Sequence, residues 1–202
     1  MGKTGARNVS TYDRDTQMEG QMGHKPFAIP MLLLLSLCFS TGEGQAQIVA
    51  LGASNTAGKG VSIGEAFPAQ LQEMLRARGL NVNVTNAGVS GDTPTGMLNR
   101  LNTSVPEGTR VVILNPGGND LRACRRRGGG ECASREEHFA VVEEIRARLR
   151  SRGIKVLMAK FGGMGAEDRQ SDGRHLIPEV HREVASRLLP QVISALGVRS
   201  KR

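Results

Sequence analysis

The chain of 202 residues contains no tryptophan, a single tyrosine and five phenylalanines. So few flat side chains leave little to stack on nucleobases or sugar rings, which argues against a nucleic-acid platform or a polysaccharide groove. Cysteine is scarce as well, at three residues, and none combines with the four histidines at a spacing that suits a metal. No metal and no other cofactor is expected. Long apolar stretches are also missing. The one candidate, Phe27 to Phe39 (FAIPMLLLLSLCF), falls short of the roughly 20 residues that span a bilayer.

That short run is informative in another way. Lys25 precedes it, small and polar residues follow it, and Gly44-Gln45-Ala46 offers the small-x-small pattern that signal peptidase reads. A secretory leader cut near Ala46 is expected. Residues 1–46 then form an N-terminal extension with its signal peptide, and residues 47–202 form one periplasmic or secreted domain. The polar segment ahead of the run is long for a leader, and a start at Met18 or Met22 in place of Met1 would shorten it. Cys38 follows Leu37, which is too large for a lipobox, so no stable membrane anchor is expected.

The first 46 residues hold four basic and four acidic side chains, so the remaining domain keeps the whole net charge of +8. Its basic residues are scattered over helices, apart from the cluster in Cys124-Arg125-Arg126-Arg127. This reads as a solvated surface that attracts anions, with no nucleic-acid partner. In an oxidising compartment Cys124 and Cys132 are candidates to close that glycine-rich loop as a disulfide, and sequence leaves the pairing open.

Beyond residue 46 the pattern alternates strand and helix. Gln47 to Leu51, Asn81 to Thr85, Arg110 to Leu114 and Lys155 to Ala159 read as strands, the second nearer an edge and the third central. Between them, apolar spacing predicts a helix over Glu65 to Arg78. A Ser134/Glu137 capping box opens another that ends about Arg152. Val180, Val184, Leu188 and Val192 line a C-terminal helix with Pro178 in its first turn. Such alternation implies a three-layer α/β fold, a parallel sheet with helices on both faces. All strand exits then share one edge, so residues that follow different strands become neighbours.

Four exits stand out: Gly52-Ala53-Ser54, Asn86-Ala87-Gly88-Val89-Ser90-Gly91-Asp92-Thr93, Gly117-Gly118-Asn119-Asp120, and Asp172-Gly173-Arg174-His175. Together they supply what acyl transfer needs. Ser54 is a candidate nucleophile, His175 its base, and Asp172 the carboxylate that steadies the imidazole from one helical turn earlier. The Ser54 and Gly91 backbone N–H groups and the Asn119 amide are candidate donors for an oxyanion. Asp120 is assigned to holding its own loop.

In this order the four blocks resemble those of the SGNH (GDSL-like) hydrolase superfamily, over the whole stretch from Ile48 to the last helix. The resemblance implies a flavodoxin-like sheet of four to five strands. It implies a serine esterase acting on a small-molecule ester or thioester, lysophospholipid included. Ser54, Gly91, Asn119 and His175 match the four name-giving residues, with Asp172 completing the triad. Two departures stand out. Ala53 replaces the aspartate that usually precedes the nucleophile, and the segment from Phe161 to Ser171 is too short for the further helix and fifth strand of many relatives.

Each block also has a plainer reading. Ser54 can cap a helix, Asp92 or Thr93 can be an N-cap, Asn119-Asp120 can be an Asx turn, and a lone histidine is commonly structural. Gly52 to Gly60 imitates a phosphate loop, but its glycines are one residue too far apart and Gly60 stands where Ser or Thr belongs. Two further alternatives are a flavodoxin-like phosphate- or nucleotide-binding module and a catalytically dead relative. Convergence of four blocks on one sheet edge favours the hydrolase.

Overall fold

The computed structural model describes residues 47–126, 133–161 and 165–198. The leader expected in residues 1–46 lies outside the described residues, as does Cys132, so the structure does not address the Cys124–Cys132 pairing. Four strands, β1 (Gln47–Gly52), β2 (Asn83–Gly88), β3 (Thr109–Asn115) and β4 (Lys155–Met158), form one sheet in the order β2-β1-β3-β4. Every pairing is parallel, with Leu51 level with Ala87 on one side and Leu114 on the other. The expected parallel α/β sheet is present, with four strands among the described residues.

Strand periodicity builds the two outer layers. Ile48, Ala50, Val111 and Ile113 face one way, onto α2 (Phe67–Arg76) and α7 (Pro178–Leu196). Val49, Leu51, Val112 and Leu114 face the other way. There they meet α3 (Pro94–Asn99), α4 (Leu101–Ser104) and α6 (Arg135–Ser151). The central strands are apolar on both faces because both faces are covered. The stripe Val180, Val184, Leu188 and Val192 on α7 is buried as its spacing predicts. Burying each such side chain contributes about 1.5–3 kcal/mol. The Ser134/Glu137 capping box is formed in both directions.

Three differences from expectation exceed a single residue. Helix α2 begins at Phe67 because Glu65 is engaged in a 3-10 turn, Ile63–Glu65, where its carboxylate accepts the Ser62 N–H at 2.8 Å. Strand β2 starts at Asn83, two residues later than expected, and continues through Asn86, Ala87 and Gly88, which looked like loop. Its ladder with β1 reaches Gly52 opposite Gly88. A Cβ on Gly88 would lie 2.1 Å from the Ala57 N atom, so only glycine lets β2 end against α1 (Ser54–Ala57). The third difference is α5 (Asn119–Arg126), a helix where a loop was expected. Asp120 in its first turn pairs with His138 Nδ1 of α6 at 2.7 Å, which gives the helix a fixed seat.

His181 of α7 is fully buried and stacks on Phe67, with ring centroids 6.5 Å apart. Its Nδ1 accepts the Phe67 N–H at 3.2 Å, which opens α2 against α7 and places the ring proton on Nε2. Burial pushes this imidazole down to about 4, opposed by the Glu65 carboxylate. An unfolded chain takes up that proton near pH 6.5, whereas the folded one refuses it until about pH 4. Stability is therefore complete above about pH 6.5 and falls between there and about pH 4, by up to roughly 3 kcal/mol. Thermal melts across this window should show the loss. His181→Gln, which keeps an acceptor for Phe67 but does not titrate, should flatten it. An unaltered acid slope in that variant would place the titration elsewhere.

Candidate active site

The strand order reverses between β2 and β3, with β1 in the middle, so a crevice opens at the carboxyl ends of β1 and β3. Ser54 stands two residues past Gly52, the last residue of β1, and begins the single turn α1. The Ala53 carbonyl accepts both the Thr56 and Ala57 N–H groups at 3.1 and 3.0 Å, so the turn is closed by backbone alone. Asn119 opens α5 after the Gly117-Gly118 exit of β3.

His175 arrives from a different part of the chain, on a tight excursion whose base is an Arg169–Leu176 antiparallel bridge. Two amide side chains fasten this excursion to the Ser54 segment. The Asn55 Oδ1 accepts the Leu176 N–H at 3.3 Å, and Gln170 Nε2 donates to the Lys59 and Leu176 carbonyls at 2.9 and 2.8 Å. Residues more than a hundred positions apart are thereby held side by side.

Ser54, Asn119 and His175 line one small cleft, of about 50 Å³. Asn55 and Asn115 also line it, together with Ala53, Gly117 and Gly118. His175 is 7% exposed, whereas Ser54 is half-buried. Behind the imidazole, Asp172 Oδ2 is hydrogen-bonded to His175 Nδ1. The other carboxylate oxygen accepts the His175 and Arg174 N–H groups at 3.0 and 2.9 Å. This is a turn and not the helical turn expected from the three-residue spacing, because Gly173 takes a φ of +65°. These backbone N–H groups, that of His175 foremost, and then the imidazole hold the Asp172 carboxyl well below the usual carboxylate range. Asp172 is thus an anion throughout neutral and mildly acidic pH. Its contribution to stability is present above its unfolded value and is lost only in stronger acid.

Gly91 sits in the loop after β2 with a φ of +85°, a conformation suited to glycine, and is not among the residues lining the cleft. It is linked to the cleft through its neighbour: Asn119 Nδ2 donates to the Asp92 carbonyl at 2.8 Å. Thr93 is the N-cap of α3, accepting the Gly96 N–H at 3.1 Å, as the plainer reading of that loop had it.

Arg100 was not anticipated. Its Nη2 donates to the carbonyls of Gly52 and Ala87 at 3.2 and 2.9 Å, and its Nε donates to Asp92 Oδ2 at 2.9 Å. One guanidinium therefore ties the ends of β1 and β2 to the Gly91-Asp92 loop. Nothing in its spacing announces this, because the two strand ends it binds are held through backbone carbonyls.

A parallel α/β sheet with a serine, a histidine backed by aspartate and an asparagine at its switch point defines the general class. The chain belongs to the GDSL-like lipase/acylhydrolase family, whose model matches residues 50–198. Esterase TesA of Pseudomonas aeruginosa is 33% identical over 133 residues, an alignment that spans 62% of this chain and 62% of that relative. A crystal structure of TesA superimposes with a TM-score of 0.63 at 21% identity, covering 74% of this chain and 99% of that one. A point variant of the esterase AlinE4 gives a TM-score of 0.50 at 27% identity, over 77% of this chain and 74% of its own.

Proposed function

We propose that the protein is a serine esterase that hydrolyses carboxylic esters through an acyl-serine intermediate. The observation that carries this reading is the shared cleft of Ser54, Asn119 and His175, with Asp172 gripping the far side of the imidazole. A carboxylate that accepts a hydrogen bond from Nδ1–H keeps the ring proton there and leaves a lone pair on Nε2, which is what a general base requires. His175 accepts the Ser54 Oγ proton as that oxygen attacks the ester carbonyl carbon. The resulting alkoxide is held by the Ser54 and Gly91 N–H groups and the Asn119 amide. Protonated His175 then gives its proton to the departing alcohol, and water repeats the sequence to release the acid.

Thioester and lysophospholipid bonds fall within the same chemistry, since only the leaving group changes. Membership of an acylhydrolase family and the esterase names of the relatives support the ester reading. In this reading residues 1–46 are a leader, removed near Ala46 on export, and 47–202 act in the periplasm or outside the cell. No helix among the described residues is long and apolar enough to cross a membrane.

A fluorophosphonate probe tests the central point. The folded protein is expected to gain one phosphonyl adduct, mapped by peptide mass spectrometry to Ser54, and to gain none after denaturation. Absence of any adduct would leave a binding protein or an inert relative.

A further inference from the structure

Two arginines border the cleft beside the three residues that carry the proposed chemistry: Arg122 from α5 and Arg174 from the turn before His175. Four arginines elsewhere among the described residues are matched to carboxylates. Arg100 pairs with Asp92, Arg146 with Glu143, Arg148 with Glu144 and Arg187 with Glu183. Among the described residues, neither the Arg122 nor the Arg174 guanidinium has a carboxylate within ion-pair distance. Arg122 also turns back toward the cleft: a Cβ built on Gly118 would lie 3.9 Å from its Nη2. That places one positive fork against the loop that presents Asn119.

The rest of the lining sharpens the point. Among the described residues, the only apolar side chain in it is the methyl group of Ala53. Among the described residues a long acyl chain finds no apolar wall in this polar cleft of about 50 Å³. An anionic group finds two unpaired guanidinium groups, whose planar donors suit carboxylate and phosphate oxygens alike.

We propose that Arg122 and Arg174 are specificity-determining residues that select small esters carrying an anionic group close to the scissile bond. The proposal rests on the esterase reading and narrows its substrate class. Exposed single ion pairs contribute little, but two charge-assisted contacts converging on one bound anion give about a tenfold to hundredfold preference. The preference should weaken with salt, because the arginines are exposed.

The test compares matched ester pairs that differ in one charge. Phenyl acetate against 4-carboxyphenyl acetate places the anion on the leaving group. The p-nitrophenyl ester of butyric acid against the mono-p-nitrophenyl ester of succinic acid places it on the acyl group. The anionic member of at least one pair, corrected for its intrinsic hydrolysis rate, should have the higher kcat/KM by about tenfold or more. Arg122→Gln with Arg174→Gln should remove that advantage, mainly through KM, while the neutral member changes less than about threefold. Lysine at both positions should restore part of it. Equal kcat/KM within both pairs, or a preference that survives the double glutamine variant, overturns the assignment while leaving the esterase intact. If no ester is turned over and Ser54 takes no phosphonate label, the esterase reading falls, and this inference falls with it.

Discussion

Ser54→Ala is expected to lower the turnover of a short p-nitrophenyl ester by roughly 10⁶-fold, the order reached when a serine nucleophile is deleted from a triad. The loss should fall on kcat, because the hydroxyl forms its bond only as the reaction proceeds. The fold should be indifferent. The turn that presents Ser54 is closed by the Ala53 carbonyl, and the Ser54 carbonyl accepts the Lys59 N–H at 3.0 Å, neither of which involves the hydroxyl. A melting transition equivalent to within about 0.5 kcal/mol of the parent is therefore expected. Turnover within tenfold of the parent by a well-folded variant would remove Ser54 from the chemistry. The cleft would then have to act through water activated by His175 alone.

Much of the architecture was readable because burial writes itself into periodicity. The strands β1 and β3 are covered on both faces, so they appear as unbroken apolar runs. Helix α7 is covered on one face, so it appears as a stripe ending at Gly197, whose φ of +74° closes the helix. Strand β2 was misjudged because its second half, Asn86 to Gly88, belongs to the ladder through backbone hydrogen bonds, which any residue can make. Propensity speaks for side chains and is silent there. Helix α5 was missed for a related reason: the Asp120–His138 contact that seats it joins residues eighteen positions apart.

The site shows the same division. Ser54, Asn119 and Asp172-x-x-His175 could be nominated because each directly follows a strand or a tight turn with glycine at its bend. The means that bring them together could not. Asn55, Gln170 and Arg100 act on backbone carbonyls and N–H groups of other segments, and such contacts leave no spacing rule in the sequence. Ala53 illustrates a departure whose cost sequence alone left open. Its side chain is buried, and a Cβ on Gly117 would lie 3.2 Å from its methyl group. The two strand exits are packed against each other at this point, so the loop is held by contact where many relatives place a carboxylate.

The second large effect is expected at Asn119. One N–H of its amide is committed to the Asp92 carbonyl at 2.8 Å, which orients the group; the amide has a second N–H to offer. A developing alkoxide strengthens such a bond far more than a neutral carbonyl does. Asn119→Ala should therefore lower kcat by about 10²-fold to 10³-fold, with KM moving less than about threefold. Loss of the tie to Asp92 also has a structural cost, about 1 kcal/mol for one half-buried hydrogen bond. That cost appears in the melting temperature and not in the kcat/KM split. The two consequences are thus separable: a stability change alone, or a rise in KM with kcat preserved, would make Asn119 a strut for the Gly91-Asp92 loop and would take it out of the oxyanion site.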